Sequence, residues 1–282
     1  MRLTVSSKKR FLEDIYTAYH RADHIHPDPL EFLWRFPLVQ DREVVGLVAS
    51  TLAYGRVGQI LKSVARVLDG LGESPCQVLQ GASREDLRER FCGFRHRFTG
   101  SEDLIDLLFA AGKVISLYGS LHECFLHAHS EGESDVSRAL ELFVRALRVH
   151  MLAAENSLLP CPERKSACKR LHLFLRWMVR EDAVDPGGWE GISPSKLIVP
   201  VDVHMHRVGL ALGMTTRRQA DLRTALEITG AFRKIAPEDP VRYDFSLTRI
   251  GIRNGVDIRA GMHYYGRTEQ NSRNPKRGVC YG

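Results

Sequence analysis

Apolar residues recur at intervals of three and four along most of the chain, and runs of strict alternation are rare. That period is the helical one. It predicts helices over 8–20, 41–69, 84–92, 101–118, 134–154, 166–181, 203–212, 216–235 and 239–252. The stretch 41–69 reads as one long or broken helix, with Asp41 placed to cap its start, Tyr54-Gly55 to break it and Gly70 to end it. Ser101 and Asp135 are placed as further caps. The best β-like run, LIVPVDV at 197–203, carries Pro200 in its middle, which argues against a central strand. The segment 182–200, rich in Gly and Pro, reads as a loop between two helices. The pattern predicts an all-α protein with one helical unit over 1–255 and a basic, irregular tail over 256–282.

Composition narrows the class. The chain has 282 residues, 44% apolar and 26% charged, which suits a globular protein with a sizeable core and excludes disorder throughout. No stretch approaches the roughly 18–20 uncharged apolar residues that cross a bilayer. The opening MRLTVSSKKRF lacks the apolar region of a secretory signal. Six scattered cysteines, Cys76, Cys92, Cys124, Cys161, Cys168 and Cys280, predict reduced thiols in a cytoplasmic setting rather than a disulfide framework.

The formal charge of +6 is unevenly spread. Residues 160–180 carry six cations against one acid, a net +5, and residues 246–282 carry seven against two, again +5. A phosphate-facing surface requires such concentration, although solvated basic faces produce it too.

Two segments carry candidate chemistry. In SACKRLHLFLRWMVR, Leu171, Phe174, Leu175 and Met178 form a core stripe, while Lys169, Leu173, Arg176 and Arg180 share another face. A lysine at a helix start is electrostatically disfavoured. The same field, with neighbouring cations, lowers an amine's pKa, as a lysine nucleophile needs. An ordinary surface lysine is the plainer account. In PVDVHMHRVGLALGM, Asp202 is placed as N-cap of the helix 203–212 and Gly213 as its C′ residue. A cap alone explains this aspartate, but a rigidly held carboxylate facing a cleft can also balance a developing positive charge.

The order of a helix-entry lysine, a loop and a VDxHxxR-V segment opening the next helix resembles the helix-hairpin-helix DNA glycosylase superfamily. The gap of 33 residues between Lys169 and Asp202 is closer to its archaeal GO glycosylase branch than to its endonuclease III-like members. The strings HPDPLEFLWRF, ASTLAYGR, FRHRFTGSEDL, SACKRLHLFLRWMV, GGWEGISPSKLIVPVDVHMHRV and PEDPVRYDFSL, over roughly residues 25–252, more closely resemble a mainly bacterial family defined as a domain of unknown function. The remoter resemblance implies a two-lobed helical fold with a central cleft. It implies a DNA N-glycosylase with AP-lyase activity, acting in base excision repair on double-stranded DNA with a flipped base, as a monomer without cofactor. Lys169 would form a Schiff base with the sugar and Asp202 would assist base departure. Lys165, Arg170, Arg176, Arg180, Arg56 and Arg97, with Arg95, are candidate phosphate contacts. Tyr54, Trp177, Trp189 and His204 are candidates for a base pocket or wedge, against a plainer reading of the aromatics as core.

This sequence departs from the superfamily in places. The stretch LLPCPERKSACK has none of the hairpin glycines that let backbone amides approach a phosphate, and Lys165, where the closer family has glycine, is a rival nucleophile. Only Cys280 lies where an iron–sulfur cluster would need four cysteines, so no cluster is expected. Three other readings compete. DVHMH suggests a hydrolase metal site on Asp202, His204 and His206, but two histidines at i and i+2 of a helix point apart. Asp239 and Asp244 are further possible ligands, with capping by Asp239 before Pro240 the simpler account. A non-catalytic DNA- or RNA-binding protein, or a small-molecule enzyme using a Schiff-base lysine, would show the same residues.

Overall fold

The computed structural model describes residues 4–164 and 166–253, so Lys165 and the tail 256–282 lie outside the described residues. Among the described residues the protein is helical apart from one minimal hairpin. Its helices are α1 (Val5–Tyr19), α2 (Val39–Thr51), α3 (Val57–Leu71), α4 (Pro75–Gly81), α5 (Arg84–Arg90), α6 (Ser101–Tyr118), α7 (Leu121–Ala128), α8 (Ser137–Arg148), α9 (Lys169–Val179), α10 (Val203–Ala211), α11 (Leu222–Arg233) and α12 (Asp244–Arg253). The strands β1 (Arg95–His96) and β2 (Thr99–Gly100) pair antiparallel. No single helix among the described residues is long and apolar enough to cross a membrane. The five described cysteines are free.

The long periodic segments form helices where the pattern places them, and the break falls at Tyr54-Gly55 as expected. The stretch 41–69 is two helices, parted where Tyr54 leads into Gly55 at φ 100°, a left-handed conformation that only glycine adopts without cost. Gly70 does not end the second; the chain runs on to Leu71. Asp41 does not cap its own helix either. Its Oδ1 accepts a hydrogen bond from the backbone N–H of Cys76 at 2.9 Å, in the first turn of α4. Gly100 rather than Ser101 precedes α6, and Asp103 accepts from its N–H.

α2 is buried almost throughout and lies against α9 and the 3₁₀ segment Pro29–Arg35. α6 packs on α4, α5, α7 and α8, while α1 meets α12 from the other end of the chain. The segment 182–200 is no solvent loop. Val184, Asp185, Trp189, Ile192, Leu197, Ile198 and Val199 are all buried in it. Its run 197–203 forms no strand; the Val199 N–H donates to Thr229 Oγ1 at 3.0 Å.

Buried acids tie these pieces together. Glu43 is fully buried on α2 and accepts from the Leu121 and His122 N–H groups at 2.7 and 3.0 Å and from Trp189 Nε1 at 3.1 Å. It thus fastens α7 and the 182–200 segment to α2. Burial pushes its carboxyl from the ordinary 4.5 up to about 7, against the lowering effect of those three donors. The folded state therefore holds the Glu43 proton more tightly than the unfolded chain does. Stability should fall as pH rises from about 4.5 to about 7 and show no further Glu43 contribution above that. Urea midpoints of wild type and Glu43→Gln between pH 5 and pH 8 check this. The variant should lack this part of the slope, and an identical slope in both proteins would exclude Glu43 as its origin.

Candidate functional site

α9 buries Leu171, Phe174, Leu175 and Met178 against the core, and this fixes the direction of its remaining faces. The helix begins at Lys169. Cys168 before it sits at φ 43°, ψ 37° and gives no side-chain cap. A left-handed non-glycine residue costs about 1–2 kcal/mol. Here it turns the chain sharply from the preceding segment, where Ser166 makes an antiparallel backbone bridge to Asp221, the N-cap of α11.

α10 begins at the expected place. Asp202 is its N-cap, with Oδ1 accepting from the Met205 N–H at 2.9 Å, and Gly213 follows the helix at φ 63°. The two helix starts bring Lys169 Nζ to 3.9 Å from Asp202 Oδ2. That is an ion-pair distance but too long for a hydrogen bond. The side chains remain 28% and 43% exposed, so both groups are reachable from outside.

A second acid lies beside them. Asp244 opens α12, is buried, and holds Arg176 Nη1 at 2.5 Å. Burial raises the Asp244 pKa most, Arg176 opposes that, and the Asp202 charge adds to the rise while the Lys169 charge reduces it. The starts of α9, α10 and α12 therefore meet, and each helix dipole favours a carboxylate there and disfavours the lysine.

The residue after Lys169 faces another wall. Arg170 donates to the carbonyls of Thr51 at 2.6 Å and Ser157 at 2.7 Å, and its guanidinium lies 5.0 Å from the Tyr54 ring centroid. Tyr54 Oη donates to the His96 carbonyl at 3.1 Å and lies 2.5 Å from Thr99 Oγ1, which in turn is 2.7 Å from Ser157 Oγ. Burial raises the Tyr54 phenol's pKa.

The structure sorts the candidate residues clearly. Lys169 and Asp202 come together, and Tyr54 lies on the adjoining wall with Arg56, Arg95 and Arg97 exposed near it. Arg176 and Arg180 are corrected. Both are buried, Arg176 between Asp185 and Asp244, and Arg180 among Asp182, Asp185 and Asp239. They cannot reach a phosphate without leaving those partners. Arg170 is likewise spent on backbone carbonyls. Trp177 and Trp189 are core residues, Trp189 with its indole N–H on Glu43, so neither can stack on a base. His204 is half-buried on α10, with Nε2 3.1 Å from the Leu247 carbonyl. Lys165 lies outside the described residues.

The metal-hydrolase reading meets the helical geometry of α10. His204 turns to Leu247 and His206 to the Arg217 carbonyl at 2.8 Å, so the two rings diverge. Asp239 and Asp244 serve as arginine partners instead of ligands. No group of three or more His, Cys, Asp and Glu able to hold a metal ion occurs among the described residues.

Sequence reasoning misses three contributors. It offers Asp244 only as a ligand, because its approach to Lys169 is tertiary. Ser157 and Phe98, whose ring stacks on Tyr54 with centroids 5.0 Å apart, carry no local signal, because one is a loop serine and the other sits in a turn without glycine.

An all-helical chain with an amine and a carboxylate at a junction of helix starts is the class this geometry defines. A family model described as protein of unknown function (DUF2400) matches residues 28–253, and the chain belongs to that family. No curated protein and no solved structure matches it.

Removing Arg176 should act on stability. Arg176→Ala leaves Asp244 buried without its arginine and Asp185 with Arg180 alone, which costs about 3–5 kcal/mol. Chemical denaturation should show that loss, and a variant as stable as wild type would refute the structural role of the arginine.

Proposed function

We propose that this protein is a DNA N-glycosylase with associated lyase activity, using Lys169 as nucleophile and Asp202 as the charge-balancing carboxylate. The observation that carries the reading is the 3.9 Å approach of Lys169 Nζ to Asp202 Oδ2, with both side chains partly exposed at the starts of two separate helices. Of the cations on one face of α9, Arg176 and Arg180 are sequestered, and Lys169 alone keeps its amine accessible. The resemblance in the VDxHxxR-V segment and the helix-entry lysine supports the same assignment. The finer two-lobed glycosylase architecture belongs to this proposal too, with Lys169 and Asp202 in the groove between lobes.

The chemistry follows from the two groups. As the C1′–N bond of the target nucleotide lengthens, positive charge builds on C1′ and the ring oxygen, and the bonding pair leaves with the base. Asp202, oriented by the Met205 N–H, offsets that charge. Lys169 then gives up its ammonium proton to solvent, adds to C1′ as the amine and loses a second proton, and the sugar ring opens to the protonated Schiff base. Abstraction of a C2′ proton drives β-elimination, in which the C3′–O bond breaks and the 3′ phosphate departs. The target must leave the stack to be reached, which places the partner as DNA with an extruded base.

Borohydride reduces a protein–DNA Schiff base to a stable amine, so trapping against oligonucleotides carrying abasic sites and oxidised or alkylated bases tests the reading directly. Wild type should form a covalent adduct with at least one of them, and Lys169→Ala should form none while keeping DNA affinity. An adduct persisting in Lys169→Ala would move the nucleophile elsewhere, and DNA affinity without any wild-type adduct would reduce the protein to a binding module.

Asp202→Asn keeps a helix cap but removes the charge. Single-turnover base release should slow by about 10²-fold or more. An unchanged rate would leave Asp202 as a cap only.

A further inference from the structure

The tip of the β1–β2 hairpin is built unusually. His96 pairs with Thr99, so Arg97 and Phe98 form a two-residue turn. Arg97 takes φ 55° at the first turn position, where hairpins normally place glycine. An arginine there costs about 1–3 kcal/mol of backbone strain, which persists only where the surroundings hold it. Phe98 beside it is 68% exposed, among the most exposed large apolar side chains of the described residues.

The exposed ring is not loose. Phe98 stacks on Tyr54 with centroids 5.0 Å apart and planes 28° apart. Tyr54 rests in turn against Arg170, and its hydroxyl is fixed by the His96 carbonyl and Thr99. One side of the Phe98 ring is therefore backed by a rigid aromatic and cationic column, and the ring remains largely open to solvent. Cations flank it along the chain. The Arg97 side chain reaches Gly55, next to the exposed Arg56, and Arg95 Nε donates to the Arg97 carbonyl at 3.3 Å. A flat, pre-stacked aromatic face on an arginine-rich hairpin is complementary to a nucleobase with its flanking phosphates.

We propose that Phe98, backed by Tyr54, is a stacking platform for an unpaired nucleobase, and that the protein consequently favours DNA with a locally unstacked strand over uninterrupted duplex. In intact duplex both faces of every internal base are already stacked, so the platform has nothing to take. Beside a missing or extruded base one face is free. The column reaches the helix of Lys169 through Arg170, so the platform lies on the wall adjoining the amine. This inference rests on the DNA reading above but not on its chemistry.

The test uses the full chain in a Lys169→Ala background, which removes covalent capture. Fluorescence anisotropy compares three probes of one sequence: the single strand, the paired duplex, and the duplex with one tetrahydrofuran abasic analogue. The unmodified platform should bind the single strand and the abasic duplex more tightly than the paired duplex. Phe98→Ala should lose about tenfold on those two probes with little change on the paired duplex, and Phe98→Trp should restore the preference. 2-Aminopurine placed opposite the abasic analogue should be quenched by the parent and by the Phe98→Trp variant, and not by Phe98→Ala. Because the ring is exposed, the variants should melt as the parent does. Equal affinity of Phe98→Ala and parent for all three probes, an equal loss on all three, or absence of DNA binding by the parent would each overturn the platform. Borohydride trapping with an intact Lys169 and Phe98→Ala separates the two proposals: trapping with no Phe98 effect on binding removes only the platform, and a Phe98 effect on binding without wild-type trapping removes only the chemistry.

Discussion

The geometry of the site depends on two arginines buried behind it. Arg176 and Arg180 point from α9 into a buried set of carboxylates supplied by the segment after the helix and by the region leading into α12. Asp185 is fully buried and serves both guanidiniums. Charges taken out of water in this way repay their desolvation only when the geometry is good and their hydrogen bonds are met, so the arrangement specifies a position more than it adds net stability. What it specifies is the axial and rotational setting of α9. With one end of the helix locked to the 182–200 segment and α12, and one side laid on α2, its first residue has little freedom. Lys169 is thereby presented to Asp202 by a rigid element rather than by a loop, as a reacting pair demands.

The same network explains why charge was the least readable property of the sequence. Lys169, Arg176 and Arg180 do share an azimuth on α9, as their spacing of seven and eleven residues requires. They differ in depth. The C-terminal half of that face is covered by Asp185, Asp239 and Asp244, and the N-terminal end is not. A helical wheel reports direction and has no coordinate for what covers the helix further along. Much of the net +5 over residues 160–180 is neutralised from outside that window. Arg164 adds to this, paired with Glu155 among exposed groups. The acids responsible lie up to 68 positions away, so no local count could include them.

Long amphipathic helices and the cap of α10 were legible because their determinants are local: period, an N-terminal Asp and a following glycine. The short helices α4 and α7 were not. α4 meets Asp41 and α7 meets Glu43, both carried by α2. A helix of seven or eight residues has too few hydrogen bonds to repay its nucleation, so its stability comes from tertiary partners and leaves little trace in its own residues. Segment 182–200 misled for a related reason. Its Gly and Pro content marks irregular backbone correctly, but irregular backbone is usually exposed. Here it is buried because arginine side chains satisfy its carbonyls, as Arg42 does for Pro186 and Gly187 at 3.1 Å.

The first turn of α9 joins two walls that the sequence keeps far apart. Lys169 looks toward α10 and α12, while Arg170, one residue on and about 100° around the helix, grips the end of α2 and the loop at Ser157. Through Thr99 and Tyr54 that grip extends to the β1–β2 hairpin. Neighbouring residues of one helical turn must diverge, so a lysine aimed at one wall obliges its successor to meet the other. The strained Cys168 just before them fixes where that turn starts. A shift of one residue in the helix start would rotate both side chains together and lose both contacts at once. Register at the head of α9 is therefore a single constraint that sets the amine–carboxylate approach and the position of the aromatic column simultaneously.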